Sequence, residues 1–195
     1  MLLAVLLACL LGVPNIHSLL AIDCPVRGGL LVVEGWIPDY AIPGAISEFE
    51  KDDCKQMIAV GGPIEKGSHL SEFKDYARLT QAKLVSLGFS ERRLVVLETG
   101  DIKKDRTYQS ARAVQLWAAS NGVRVPSLDV YTLGPHARRS RLLFQKVFGD
   151  EVAVGVIAAP DQTYDPDRWW RSSNGVKTVM SGMIAYLYAV IFFHP

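Results

Sequence analysis

Short runs of β-branched and other apolar residues alternate along the chain with longer segments of helical periodicity. The apolar runs predict strands at Leu30–Glu34, Gln56–Val60, Leu94–Glu98, Leu128–Thr132 and Val152–Ile157. Helices are predicted near Ile42–Glu50, Ser71–Leu87, Arg106–Ser120, His136–Phe148 and Val176–Phe193. None of the strands alternates strictly between apolar and polar positions, which is typical of a parallel sheet buried on both faces. The pattern therefore predicts the α/β class, with about five mainly parallel strands covered by helices.

The first 22 residues carry no Asp, Glu, Lys or Arg. About 20 apolar residues are enough to cross a bilayer as a helix, so residues 1–22 are predicted to be a membrane anchor or an export signal. An α/β domain is then expected over residues 28–195. The run lacks a basic start and is interrupted by Pro14, Asn15 and His17, so a buried N-terminal helix is the alternative.

Composition limits the kinds of ligand and partner that the chain is expected to bind. The chain of 195 residues is 49% hydrophobic and has a net charge of +1, so it can bury a substantial core and has no basic excess for binding nucleic acid. Cys9, Cys24 and Cys54 form no C-x-x-C pair, and no metal site or specific cofactor is predicted. The spacing leaves open whether Cys24 and Cys54 pair in an oxidising compartment.

Ligands of open parallel α/β sheets bind outside the carboxyl ends of the strands. Applied to the predicted strands, this rule brings several loops to one pocket. Its expected walls are Glu34–Trp36, Gly61–Gly62, Glu98–Asp105 and Gly134–Arg139.

The segment "GPHARRS" begins the helix that follows the fourth strand. On a helical wheel His136 lies on the same buried stripe as Leu143, and Arg139 flanks it, whereas Arg138 and Arg141 fall further round. His136 and Arg139 are therefore candidate site residues. The alternative is a structural role, with His136 bonded to a loop carbonyl and the arginines on an exposed face.

The segment "ETGDIKKDRTYQ" places carboxylates near those arginines. Glu98 ends the third strand, Asp105 is a candidate N-cap, and Thr107 lies on the buried stripe of the following helix. Either these acids hold the arginines in a structural network, or the arginines hold an anionic ligand between two helix N-termini. Gly61 and Gly62 follow the second strand, where they form either a phosphate-cradling loop or a plain turn.

Taken in order, these features resemble the SanA/YdcF/ElyC-like domain family of bacteria. The landmarks are Gly61-Gly62, Glu72 on the next helix, Glu98, Thr107, and T-x-x-x-H-x-x-R at Thr132, His136 and Arg139. One departure is Arg106-Thr107-Tyr108-Gln109-Ser110, where many members carry Asn-Thr-x-Glu-Asn. The resemblance implies a three-layer Rossmann-like fold, an anchored or exported protein linked with envelope integrity, and a nucleotide-like ligand, with no established reaction.

The leading hypothesis is an enzyme or ligand-handling domain of the bacterial envelope, in the cell membrane or periplasm, that binds an anionic small molecule or a phosphorylated envelope precursor. His136 would be a general acid or base, Glu98 would orient it, and Arg139 would clamp the anion. The expected ligand contacts are Gly61, Gly62, Thr107, Glu34 and Asp105. The competing hypothesis is a membrane-tethered scaffold that contacts a partner through Trp169-Trp170 or the last helix. Methyl transfer is a third reading, which rests only on the fold.

Overall fold

The centre of the fold is a sheet of five strands in the computed structural model, which describes residues 13–52, 54–65, 69–101 and 104–194. The strands are β1 (Leu30–Glu34), β2 (Gln56–Gly61), β3 (Leu94–Glu98), β4 (Ser127–Leu133) and β5 (Ala153–Ala159). The α-helices of the described residues are α1 (Ile16–Leu20), α2 (Ile42–Lys51), α3 (Tyr76–Ser86), α4 (Arg106–Ser120), α5 (Ala137–Phe148) and α6 (Ser173–Ile191).

All neighbouring strands of the sheet are parallel, and their order is β3-β2-β1-β4-β5. Along the chain, β2 and β3 extend the sheet on one side of β1, and β4 and β5 then extend it on the other side. In open α/β sheets, the place where the order reverses is the crevice in which ligands bind. Here that place lies between β1 and β4, where Val33 is in register with Tyr131. The expected α/β class with a parallel sheet is confirmed.

Helices cover both faces of the sheet, so the arrangement has three layers. On one face Val33 belongs to a core cluster with Phe49 of α2 and Leu84 of α3. On the other face Val32 belongs to a cluster that includes Val114 of α4. Burial on both sides explains why the strands read as continuous apolar runs in the sequence.

Two helices begin later than the sequence pattern indicates. The helix predicted from Ser71 begins at Tyr76, because Asp75 accepts a hydrogen bond from the N–H of Arg78 (2.7 Å) and caps it. Glu72 therefore precedes this helix instead of lying on it. Before α5, residues Gly134–His136 form a 3-10 turn, so the α-helix proper starts after His136.

The chain ahead of β1 packs on the α/β body. Leu20 of α1 is fully buried in a cluster with Trp169 and Val179. Cys24 forms an antiparallel bridge with Val156, and both it and Cys54 are free thiols. Residues 16–27 thus pack on the domain expected to begin at residue 28, and residues 1–12 of the predicted anchor lie outside the described residues. Within the described ranges, no helix is both long and apolar enough to span a membrane.

Candidate functional site

A pocket of about 430 Å³ lies at the reversal of strand order, against the carboxyl ends of β1 and β2 and the amino ends of α4 and α5. It has the position expected of a ligand site in an open parallel sheet. Seven of the eight residues proposed from the sequence line it: Glu34, Gly61, Gly62, Asp105, Thr107, His136 and Arg139.

Glu98 is the predicted site residue that the pocket does not include. It ends the edge strand β3, where Arg78 Nε donates to its Oε1 at 2.7 Å, and its side chain is 47% exposed. Three strand spacings of about 4.8 Å each separate β3 from β4, which leads into His136. The structure therefore does not bring Glu98 to His136 as the orienting partner expected from the sequence.

Glu34 is a buried carboxylate held by two hydroxyl groups. Thr132 Oγ1 of β4 donates to Glu34 Oε2 at 2.5 Å, and Ser140 Oγ of α5 donates to the same oxygen at 2.8 Å. All three residues are buried, and they belong to three different elements. Such a network fixes the rotamer of Glu34 and ties α5 to the two central strands. Ser140 lies on the stripe that the helical wheel assigns to the core, which is the signal that could have revealed this partner.

His136 lies deep in the pocket, where its ring centroid is 4.5 Å from that of Trp36. Burial, together with the nearby positive charge of Arg139, lowers the pKa of His136 to about 4, although Asp161 opposes the change. The imidazole is therefore neutral near pH 7. Asp161 lies two residues after the end of β5, and its position after the last predicted strand is the signal that sequence reasoning missed.

Arg139 determines which ring nitrogen of His136 carries the proton. Its Nη2 lies 3.1 Å from His136 Nδ1. Because a guanidinium can only donate, Nδ1 must be the acceptor, and the proton of the neutral ring lies on Nε2. His136 can thus donate a hydrogen bond to a ligand from Nε2, while Nδ1 is occupied.

The guanidinium of Arg139 is mostly buried and has no acidic partner in the described part of the chain. No ion pair between described residues includes it, and its Nε is buried without a hydrogen-bond partner there. Burial lowers the pKa of Arg139, and the negative charge of Glu34 acts in the opposite direction. The second basic residue lining the pocket, Arg106, is exposed and pairs with Glu65 at 2.7 Å.

The other two arginines at the start of α5 serve the packing of the chain. Arg138 Nε donates to the carbonyl oxygen of Leu19, near the end of α1, and its guanidinium lies over the ring of Tyr186. Arg141 Nε donates to the carbonyl oxygen of Val154 in β5 at 2.8 Å. Of the three arginines in this turn, Arg139 is the one that lines the pocket.

The first turn of α4 forms the wall that faces Arg139. Asp105 occupies the N-cap position in a left-handed conformation (φ 53°), and its side chain makes no capping hydrogen bond to the helix. Thr107 and Ser110 are buried there and line the pocket. The N–H groups of a first helical turn precede the intrahelical ladder and favour anions. No acidic residue lies within the first turn itself, and the carboxylate of Asp105 at the N-cap is the nearest negative charge to these N–H groups along the chain.

Gly61 and Gly62 line the pocket for different reasons. A Cβ on Gly61 would lie 2.8 Å from Tyr76 Cβ, so the start of α3 requires glycine there. A Cβ on Gly62 would meet the flexible side chain of Thr99 at 3.0 Å. Close packing of α3 on β2 therefore accounts for Gly61 without a ligand. Residues 66–68, which follow in the same connection, lie outside the described residues.

Trp36 lines the pocket as part of the expected wall after β1, and Glu65, Arg106 and Ser110 also line it although they were not chosen from the sequence. Within the described residues, no group of three or more His, Cys, Asp or Glu side chains could hold a metal ion. In comparisons with known proteins, no family model matches the chain and no curated protein matches it. The resemblance to the SanA/YdcF/ElyC-like family stays a prediction, and the site is interpreted from its own geometry.

Proposed function

We propose that the pocket binds a small molecule carrying a phosphate or a similar anionic group. The observation that carries this proposal is the mostly buried guanidinium of Arg139, which has no carboxylate within ion-pair distance among the described residues. A charge removed from water is costly unless an opposite charge or several hydrogen bonds compensate it. An anion in the pocket would supply that compensation.

Two further features favour a phosphate over an apolar ligand. The first turn of α4 lines the same pocket as Arg139, so the amino end of a helix and a guanidinium border one space. Arginine binds phosphate oxygens through its planar fork of donors, and the Nε–H of Arg139 is such a donor. The exposed Arg106 at the rim is paired with Glu65, so it would contact a ligand only by leaving or sharing that ion pair.

The neutral protonation state of His136 favours a role as a hydrogen-bond donor over the role of general acid or base that is expected from the sequence. With a pKa of about 4, few molecules carry an imidazolium near pH 7, and Nδ1 is engaged by Arg139. A neutral Nε2–H can still stabilise an oxygen that gains negative charge in a reaction. We therefore assign His136 to orienting or polarising the ligand, and Glu34 to holding the wall of the pocket.

The bacterial envelope is the proposed setting, and a phosphorylated envelope precursor is the proposed class of ligand. The support is the uncharged apolar sequence of residues 1–12, which precedes α1, and the resemblance of the site landmarks to an envelope-associated family. A scaffold that acts through Trp169-Trp170 is the competing proposal. Trp169 is buried in the core cluster beside α1, which leaves Trp170, at 40% exposure, as its contact residue.

The test is calorimetric titration and thermal shift of the full chain with phosphate, pyrophosphate and nucleoside phosphates. We expect at least one of these anions to bind and to raise the melting temperature, because binding to the folded state stabilises it. Arg139→Ala should abolish the effect. Arg112→Ala removes an equal charge from the exposed side of α4 and is the matched control. Identical binding by Arg139→Ala and wild type, or no binding of any anion, would contradict the proposal.

A further inference from the structure

The two carboxylate oxygens of Glu34 have different surroundings. Oε2 accepts the hydrogen bonds of two hydroxyl groups, whereas Oε1 accepts none from the described residues. Three described side-chain atoms are fully buried without a hydrogen-bond partner, namely Arg139 Nε, Tyr164 Oη and Trp169 Nε1. Glu34 Oε1 is not one of them, so it borders open space, and the space that Glu34 lines is the pocket.

The position of Oε1 favours a hydrogen bond with a ligand. Glu34 as a whole is 2% exposed, so its carboxylate is almost entirely removed from bulk solvent. A buried polar atom without a hydrogen bond costs free energy, and the cost is larger when the group is charged. A hydrogen-bond donor inside the pocket would compensate Oε1 as the two hydroxyl groups compensate Oε2.

Arg139 presents the opposite charge to the same pocket. It forms no ion pair with Glu34, yet the negative charge of Glu34 acts to raise its pKa, so the two charges are close enough to interact. Ser140, whose hydroxyl group donates to Glu34, directly follows Arg139 in α5. The pocket therefore contains a donor, Arg139 Nε–H, and an acceptor, Glu34 Oε1, within reach of one small molecule.

A ligand that is only anionic suits one side of this pocket. The described lining includes three acidic residues, Glu34, Glu65 and Asp105, and two arginines, Arg106 and Arg139. Glu65 and Arg106 pair with each other, which leaves two carboxylates for one guanidinium. A bare phosphate would compensate Arg139 but would bring more negative charge towards Glu34, and like charges at short distance repel each other. A ligand with a donor group as well as an anion suits both sides.

We propose that the ligand carries, beside its anionic group, a hydroxyl or ammonium group that donates a hydrogen bond to Glu34 Oε1. Glu34 then determines specificity, and the class of ligand is a phosphate ester of a polyol, a sugar or an amine. This inference rests on the anion-binding function proposed above and adds the second half of the ligand. A site that binds a polar group of its ligand discriminates strongly against the analogue without it, because the buried partner is then left unpaired.

The experiment is calorimetric titration of the full chain with alkyl phosphates of several matched lengths. Their far end is a methyl, a hydroxyl or an ammonium group, so compounds of one length have nearly the same size. We expect the hydroxyl or the ammonium compound to bind the wild type about tenfold or more tightly than the methyl compound at one length at least, because it gains a hydrogen bond to a charged group. The tighter of the two identifies the donor.

Glu34→Gln is the test variant. It should lose most of this preference and should bind the methyl compound more tightly, because its amide presents a donor where the carboxylate presents negative charge. Glu98→Gln makes the same substitution at the exposed carboxylate of β3 and should keep the wild-type preference. Arg139→Ala should weaken the binding of all three compounds. Thermal unfolding checks that each variant is folded, and the comparison of compounds on the wild type depends on no variant.

The outcomes separate this inference from the proposed function. Equal affinity of the wild type for the three end groups at every length would overturn the inference, and the anion-binding proposal would stand. A preference that Glu34→Gln leaves unchanged would also overturn it, as would binding of pyrophosphate by a protein that binds none of the three compounds. If no anion of any kind binds, the proposed function fails and this inference fails with it.

Discussion

Two depressions of the surface adjoin strands of the sheet, and the smaller one is the candidate site. The larger, of about 680 Å³, lies between α3 and the edge strand β3, and Arg78 and Glu98 line it. These two residues pair at 2.7 Å while their side chains remain 55% and 47% exposed. In the pocket of about 430 Å³, by contrast, Glu34 is buried and Arg139 is mostly buried without an ion-pair partner among the described residues. Burial of polar groups, not volume, distinguishes the two.

The strand order explains this difference. Next to β1, the connections to β2 and β4 lead to helices on opposite faces of the sheet, which opens a crevice with buried walls. At the β3 edge no further strand encloses the groove, so water reaches its charged groups. An exposed ion pair contributes little to stability, whereas a buried charge must be compensated locally.

The largest expected effect is a pH dependence to which His136 of the pocket contributes most. In the folded protein the pKa of His136 is lowered from 6.5 to about 4, so between these values the unfolded chain binds a proton that the folded chain does not. Stability should therefore fall as pH decreases from 6.5 to 4, by up to about 3 kcal/mol. Urea unfolding at several pH values should show His136→Gln losing less stability than wild type over this window. Equal losses would remove the evidence that His136 is buried as a neutral group.

The second largest effect is expected on anion affinity when the arginine of each depression is replaced by alanine. Arg139→Ala should weaken pyrophosphate binding about 100-fold, since charge-assisted hydrogen bonds contribute about 1.5–3 kcal/mol each. Arg78→Ala removes the same charge from the groove and should leave the affinity unchanged. Titration calorimetry on both variants checks this. If Arg78→Ala weakened binding as strongly as Arg139→Ala, the groove would replace the pocket as the anion site.

A somewhat smaller effect is expected from the glycines after β2. Gly61→Ala should destabilise the protein by about 2 kcal/mol, because its Cβ would clash with the backbone end of α3 at Tyr76. Gly62→Ala should cost clearly less, since the neighbouring Thr99 hydroxyl belongs to a side chain that can rotate. Denaturant unfolding distinguishes the two variants. Equal destabilisation would show that the packing of α3 does not set the requirement at Gly61.

The smallest effect concerns the ion pair of the groove. A double-mutant cycle on Arg78→Ala and Glu98→Ala should give a coupling free energy below about 1 kcal/mol, as exposed pairs do. Glu98→Ala should also leave anion affinity at wild-type strength, because Glu98 does not line the pocket. A large loss of affinity in this variant would restore Glu98 as a site residue.

Elements with strong local patterns were predicted closely. The bounds of β1, β3 and α4 agree with the predicted ones residue for residue, because each is a continuous apolar run or a periodic segment between clear turn signals. The start of α3 was placed five residues too early. Ser71 and Asp75 are both acceptable caps, and the choice of Asp75 depends on the contacts that the first turn of α3 makes with Gly61.

For the candidate site, the positions of the residues were predicted better than the interactions between them. Residues at the carboxyl ends of β1, β2 and β4 could be assigned to one pocket without knowing their distances, because parallel strands end at the same edge. The interactions inside the pocket could not be assigned in this way. The bond between Arg139 and His136 Nδ1, and the two hydroxyl groups on Glu34, depend on rotamers that are set by packing.

The sequence by itself determined the α/β class, the succession of strands and helices, and the common edge at which seven of the eight proposed residues meet. These properties follow from local periodicity and from the geometry shared by all parallel sheets. Only the tertiary structure decided that β3 lies at an edge with Glu98 far from His136, and that Arg139, of the three arginines at the start of α5, lines the pocket. Which strands lie next to each other in a sheet does not follow from their order along the chain. Burial lowers the pKa of His136, and a side chain becomes buried only when the helices have packed on the sheet.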